Sequence, residues 1–282
     1  MVDSSKHFLD KIKSLNTSNK LMASIDVVNL FTNVPVNKTV DIIIDAVYNH
    51  QTLSSPLIPK LTLKTLLKTV TTETPFTFEN QVYYQIDGVS MGSPLGPTFS
   101  NFYMSHLEQT LFENSNAIKK PYAYYRYVDD TFLLVDSIND IQVLINNLES
   151  NSVLKFTYEI ESECKKLNFL DAELQNINST ISSTVHHKST ESPKIFDFNC
   201  YAPITYKKAV LKGELHRTFR ICSSYQQFHC ELIKLEKKFI DSNFPQFLVD
   251  LTIKQFLEKN VQNKTEEKSE NTKITFYYKN HY

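Results

Sequence analysis

The stretch YYRYVDDTFLLV, Tyr124 to Val135, sets two adjacent carboxylates inside a run of aromatic and aliphatic side chains. Aromatic and β-branched residues on both sides favour extended chain, so the stretch predicts a β-hairpin with Asp129 and Asp130 at its tip. Like charges side by side repel and add nothing to stability. The plain alternative is an exposed turn, where Asp is common. The apolar flanks argue against it, and so does a further acid. MASIDVV, Met22 to Val28, reads as a buried strand that carries Asp26.

Carboxylates converging from two adjacent strands make a pocket of hard oxygen donors, which suits Mg²⁺. Two such ions about 3.5–4 Å apart can activate an attacking hydroxyl and stabilise a leaving oxygen in phosphoryl transfer. A cation would also offset the repulsion between the hairpin acids. On this reading Asp129-Asp130 is half of a metal site and Asp26 the other half.

The rest of the chain bounds what such a site could serve. With 282 residues, 41% of them hydrophobic and 12% aromatic, there is material for one large domain or two modest ones. The net charge of −1 hides a gradient: residues 1–185 carry 14 Lys+Arg against 20 Asp+Glu, and residues 186–240 carry 10 against 5. An acidic part joined to a basic part is what separate metal and polyanion sites need, although two solvated faces of opposite sign would look the same. Cys164, Cys200, Cys222 and Cys230 show no C-x-x-C spacing, so free thiols in a reducing compartment are expected. No apolar run reaches the roughly 18 residues of a membrane span, and no membrane partner is expected. MVDSSKHFLDKIKSLN at the start is polar and amphipathic, without a targeting signal.

Glycine marks another special place. There are 4 in all, and Gly88, Gly92 and Gly96 fall within GVSMGSPLG. A chain that avoids glycine elsewhere needs unusual backbone, or the close approach of a ligand, where it clusters it. Around this loop the pattern predicts a helix over Lys38 to Tyr48 with Asn37 as its N-cap, a helix over Leu61 to Val70, and a hairpin over Phe76 to Ile86. A helix over Pro97 to Phe112, with Pro at its first position, follows. IQVLINNLES is helical, LKFTYEIE and LNFLDAELQ are strands, and from about Thr205 the pattern is all helical. NKTEEKSENTK reads as a linker, and ITFYYKNHY as a strand without a partner.

These residues carry a resemblance. Tyr127-Val128-Asp129-Asp130 is similar to the Y-x-D-D box of reverse transcriptases, and SIDVVNLFTNVPV to their first catalytic strand. Taken in order, DVVNLFTNVP, DGVSMGSPLGP, YRYVDDTF and LNFLDAEL most resemble the reverse transcriptase domain of Penelope-like retroelements, over about Met22 to Ser224. The resemblance implies an α+β fold: a right-hand polymerase palm, an antiparallel sheet backed by helices, then a helical thumb-like bundle. It implies an RNA-directed DNA polymerase that transfers dNTPs to a primer 3′-hydroxyl on an RNA template, with two Mg²⁺ or Mn²⁺ ions. Its work would be intracellular, in the nucleus, as befits a retroelement.

The resemblance also implies roles. Asp26 and Asp129 would hold the ions, with Asp130 a more peripheral acid of the catalytic set. Val27, Phe31, Met91, Gly92, Ser93 and Pro94 would bind the nucleotide. Phe31, five positions after Asp26, would exclude a 2′-hydroxyl, although a Phe at such a place can also be plain core. Ser90-Met91 stands where many retroviral enzymes carry a Gln, and the Met form fits the Penelope-like group. Lys155, Lys165 and Lys166 are open alternatives for the acid that protonates pyrophosphate, and Asp171 reads as structural. Lys188, Lys207, Lys208, Lys212, Arg217 and Arg220 would grip template and primer through phosphates with little sequence preference. The thumb-entry segment departs from the family, with Asn199-Cys200-Tyr201-Ala202-Pro203 where Ser-x-His-Pro is usual. His186-His187 has no partner at zinc spacing.

The expected organisation is 1–20 as the remnant of an upstream connection to the fingers, 21–185 as palm, 186–262 as a thumb-like, helix-turn-helix-like basic region, and 263–282 as linker and tail. Fingers and a GIY-YIG nuclease are not read in the sequence, so a truncated element is expected. Two other readings compete with the polymerase. One is an inactive remnant that only binds nucleic acid through the basic thumb. The other is an unrelated metal-dependent phosphohydrolase, against which Phe31 and the glycine loop argue.

Overall fold

Four antiparallel strands form the sheet on which the site depends: β1 (Leu21–Val27), β4 (Ala123–Tyr127), β5 (Asp130–Val135) and β6 (Phe156–Ile160), in the order β4-β5-β1-β6. A computed structural model of the chain describes residues 1–49, 57–114, 119–188 and 195–262. The expected linker and tail, 263–282, lie outside the described residues, as does part of the segment after Lys188. The chain divides into two compact units. One is Met1–Leu170 with Leu174–Ile181; the other is Asp171–Glu173 with the residues described from Ser182 onward.

In the first unit, strand alternation gives the sheet two different faces. Ala23, Ile25 and Val27 of β1 and Leu133 and Val135 of β5 lie in a core with apolar residues of α3 (Val36–Asn49), α5 (Gly96–Asn114) and α6 (Ile138–Ser150). Each fully buried aliphatic side chain there contributes roughly 1.5–3 kcal/mol. On the other face Met22, Phe132 and Leu134 are buried. Phe8 of α1 (Ser5–Ile12) packs against Phe132 at 5.2 Å between ring centroids and against Phe169 at 4.6 Å. Residues 1–20, expected only as a leftover connection, thus supply part of the core: Phe8, Leu9 and Ile12 are buried, and the Val2 amide donates to the Arg126 carbonyl. Beyond the aromatic cluster this face turns polar at Ser24, Asp26 and Asp130, which line an open cleft.

The elements differ from expectation in detail. Asn37 lies inside α3 rather than capping it, because the Pro35 carbonyl takes the first helical hydrogen bond, from Thr39. Val36, Val40, Ile43 and Ile44 then form the apolar stripe that α3 turns to the core. After α4 (Lys60–Thr72), β2 (Pro75–Phe78) and β3 (Gln81–Tyr84) pair about Glu79-Asn80. Both turn residues have positive φ, +49° and +62°, as a type I′ hairpin turn requires. LNFLDAELQ is split into β7 (Lys166–Phe169) and β8 (Ala172–Ile177), with Leu170 at φ +53° between them. β8 pairs on its other side with β9 (Thr180–Val185), a strand the sequence reading passed over. The boundary between the units runs through β8 and β9.

The second unit is helical: α7 (Ile204–Ile221), α8 (Tyr225–Ile240) and α9 (Gln246–Leu257). Leu211, Leu215, Phe228, Leu232, Phe239 and Phe256 are among the side chains of its own core. Ser224 caps α8 by accepting the Gln227 amide, which sets the short turn after α7. No described helix is long and apolar enough to cross a membrane.

Candidate active site

β4 and β5 are joined by a two-residue turn, Val128-Asp129, closed by the pair Tyr127 and Asp130. Asp129 therefore stands at the tip, and Asp130 is already on the strand. Val128 has φ +53° and Asp129 does not share the positive sign, which is the sign pattern of a type II′ turn. That first position ordinarily holds glycine. A β-branched residue there is an outlier, costing about 1–3 kcal/mol, and such strain collects at working sites.

Strand register brings the acids together. β1 and β5 run antiparallel as far as Ile25 opposite Thr131, and Asp26 and Asp130 are the next residue on each strand beyond that pair. Both acids line one cleft of about 280 Å³ with Ser24, Thr157, Glu159 and Asn168. The Asp26 carboxyl is held above the ordinary carboxylate range, first by burial, then by the charge of Asp129, with Glu159 adding to it and the Val27 amide opposing. Acids from the first strand, the turn and β6 thus act on one another electrostatically. Glu159 is a member the sequence reading missed; its alternation with Thr157 on β6 was the available signal.

The donor set suits a divalent cation. It is made of hard oxygens, and their mutual repulsion is what a cation relieves. Among the described residues no group of three His, Cys, Asp or Glu converges closely enough to hold an ion as it stands. Mg²⁺ is commonly held by one or two carboxylates together with substrate phosphates and water, which matches this arrangement.

Phe31 lies half-buried on α2 (Leu30–Asn33), and the glycine loop closes over it. The Val89 amide donates to the Phe31 carbonyl at 2.7 Å. A Cβ on Gly88 would stand 2.4 Å from the Thr32 carbonyl oxygen, and one on Gly96 would meet the Phe31 ring at 3.3 Å. Gly92, at φ +88°, has open space around it, and Met91 is exposed. Ser93 shapes the turn that leads into α5: its side chain accepts the Leu95 amide and its carbonyl accepts the Gly96 amide. Phe31 and the loop of Met91, Gly92, Ser93 and Pro94 are thereby one assembly, reached from β1 by a short link. Val27 is different: it is buried and faces the helices.

The basic residues separate into kinds. Lys188, Lys208, Lys212 and Arg220 are exposed. Arg217 is half-buried beside Glu214, with Asp171 3.9 Å away. Lys207 departs from expectation: it is 8% exposed, donates to the Cys200 carbonyl at 3.0 Å and stands over the Phe198 ring. So placed it holds the entry to α7 rather than a phosphate. Among the lysines considered as acids, Lys155 pairs with Glu149 and Lys165 with Glu161, while Lys166 lies on β7.

An antiparallel sheet backed by helices on one face, with acids at one end of its central strands on the other, defines a polymerase palm. Residues 2–198 match the family described as reverse transcriptase (RNA-dependent DNA polymerase), and the chain belongs to that family. Residues 195–254 match the animal helix-turn-helix domain. No curated protein matches the chain. Among solved structures it is similar to telomerase from Candida albicans in complex with a TWJ fragment of telomeric RNA, with 13% identity and a TM-score of 0.61 over 92% of this chain and 50% of that one. Apo telomerase from Candida tropicalis gives 12% identity and a TM-score of 0.54, over 94% of this chain and 47% of that one. At such identities the likeness is one of fold, and the chain spans half or less of the length of these neighbours.

Proposed function

We propose that the chain is the catalytic core of an RNA-directed DNA polymerase, with Asp26 and Asp129 as the carboxylates that hold divalent cations and Asp130 as an accessory acid. The observation that carries this reading is the β1–β5 register. It brings Asp26 and Asp130, each the next residue beyond the last pair Ile25–Thr131, to one cleft, where Asp26 also feels the charge of Asp129, in a chain of the reverse transcriptase family. Bound Mg²⁺ or Mn²⁺ would neutralise phosphate charge and lower the pKa of a primer hydroxyl. The protein's own share is placement. β1 and the β4–β5 turn hold the carboxylates, and Phe31 offers a ring beneath a deoxyribose. The loop of Met91 to Pro94 leaves backbone bare for a nucleotide to approach. Lys188, Lys208, Lys212 and Arg220, together with the half-buried Arg217, supply charge for the template and primer phosphates. The order of the four boxes supports a retroelement of the Penelope-like group as the source; nuclear work would follow from such a source and not from the boxes themselves.

Extension of a DNA primer on an RNA template, dependent on Mg²⁺ or Mn²⁺, is the expected activity. Asp129→Asn should abolish it, by at least about 100-fold, because a neutral amide cannot replace a metal-facing carboxylate. Salt-sensitive nucleic-acid binding, with no extension and no metal binding, would overturn the polymerase and leave the remnant that only binds. Release of free phosphate from nucleotides would favour a phosphohydrolase.

A further inference from the structure

Arg126, on β4 two residues before the strained turn, is among the largest fully buried side chains, at 1% exposure. Each of its guanidinium N–H groups has an acceptor. Nε donates to Glu108 Oε1 at 2.5 Å, and Nη2 to Glu108 Oε2 at 3.3 Å and Ser105 Oγ at 3.0 Å. Nη1 donates to Asn101 Oδ1 at 3.0 Å and to the Val128 carbonyl at 3.0 Å. Asn101, Ser105 and Glu108 follow one another along α5 at spacings of four and three, which puts them on one face of the helix. The remaining acceptor is the turn itself.

Nothing in the sequence of the turn favours its shape, since valine resists positive φ. Burying an ion pair does not explain the arrangement as stabilisation either, because well-packed apolar residues of similar volume commonly do as well or better. What the guanidinium adds is fixed geometry: a planar fork whose donors are aimed by three side chains of one helix. The Tyr124 hydroxyl, donating to Glu108 Oε1 at 2.8 Å, orients the carboxylate in turn.

We propose that Arg126 is a positioning residue: the Asn101–Ser105–Glu108 face of α5 aims its guanidinium at the Val128 carbonyl, and this clamp sets where Asp129 stands. The proposal rests on the reading of Asp129 as a metal-holding carboxylate. The helix that begins against Phe31 at Gly96 therefore also holds the turn that carries the acid.

The test uses the full chain as Arg126→Lys, Asn101→Ala and the double variant Arg126→Lys/Val128→Gly, each first shown to be folded by circular dichroism. Calorimetry measures Mn²⁺ affinity, and primer extension measures kcat and KM. Arg126→Lys keeps the charge and loses the fork; it should weaken Mn²⁺ binding about tenfold. It should also lower kcat about 100-fold with little change in KM for the dNTP. Glycine at 128 adopts positive φ unaided, so the double variant should recover most of both losses. Recovery is what a merely structural arginine would not show. Wild-type affinity and kcat in Arg126→Lys, or losses that Val128→Gly leaves in place, would overturn the proposal. Should Arg126→Lys fail to fold, Asn101→Ala, which frees Nη1 from one of its two acceptors, must show the same pattern on a smaller scale or the proposal fails. A wild-type chain that binds Mn²⁺ but extends no primer counts against the polymerase reading alone, and the Mn²⁺ coupling still decides the clamp.

Discussion

At Asp26 the surroundings oppose ionisation, and the consequence is a pH dependence of definite sign. Burial, Asp129 and Glu159 raise the folded-state pKa. As pH rises past the ordinary Asp value of about 3.9, the unfolded chain ionises first and the folded chain follows later. Stability present below that range is therefore lost as pH climbs through the folded pKa. Asp26→Asn removes the loss, so it should raise the urea midpoint at neutral pH and leave it unchanged at about pH 3. The side chain is largely open to water, so the gain stays below about 1 kcal/mol. Mn²⁺ should raise the midpoint of the wild type and not of the variant. A gain that survives acidification, or an Mn²⁺ shift equal in both proteins, would remove Asp26 from the repelling set. The acids were legible because charge inside an apolar run has few other uses. Arg126 was not, because a single arginine in a tyrosine-rich strand looks like any solvent-facing one until α5 is laid across it.

At the scale of elements, the glycine cluster was visible as composition, but its three members do different work. Gly88 and Gly92 both hold positive φ, +73° and +88°, yet only Gly88 has backbone carbonyls where a Cβ would go. Gly92→Ala should then cost about 1 kcal/mol of conformational strain. Gly88→Ala must also push the Phe31-Thr32 backbone away, so it should cost several times as much. Denaturant midpoints of the two variants check this, and equal costs would mean that the loop does not close on α2. β1 and β5 follow from their apolar, aromatic and β-branched runs, and the helices of the second unit from helical spacing. β9 is hard to see in the sequence because Thr180–Val185 is rich in Ser and Thr, although Ile181, Ser183 and Val185 are buried in strict alternation. The break in LNFLDAELQ is silent in the sequence because nothing about Leu170 marks a positive φ.

For the whole molecule, the charge gradient is a statement about partners rather than fold. The acidic first unit holds the carboxylates, and in the second Lys188, Lys208, Lys212 and Arg220 are exposed, Arg217 is half-buried and Lys207 is internal. A primer–template complex should therefore weaken steeply with salt, and Lys212→Ala and Arg220→Ala should each reduce the log–log salt slope by about one. Lys207→Ala should instead lower the thermal midpoint and leave that slope alone, because its ammonium serves the Cys200 carbonyl. A reduced slope in Lys207→Ala, with unchanged stability, would return it to the phosphate-binding set. Titration of fluorescent primer–template across a salt series measures all three.

The sequence alone carries the extended apolar runs of β1 and β5, the acids set in and beside them, the place of the glycines and the helical character of the second unit. Each follows from local rules: side-chain period, propensity and the exclusion of charge from apolar runs. Tertiary packing settles that Asp26 and Asp130 share a cleft, that α1 belongs to the core, that Lys207 is internal and that a buried arginine grips the turn before Asp129. These depend on register and on helix faces meeting across many intervening residues. A strand written YYRYVDDTFLLV permits its arginine to face water or to be buried; α5 supplies the acceptors that decide it.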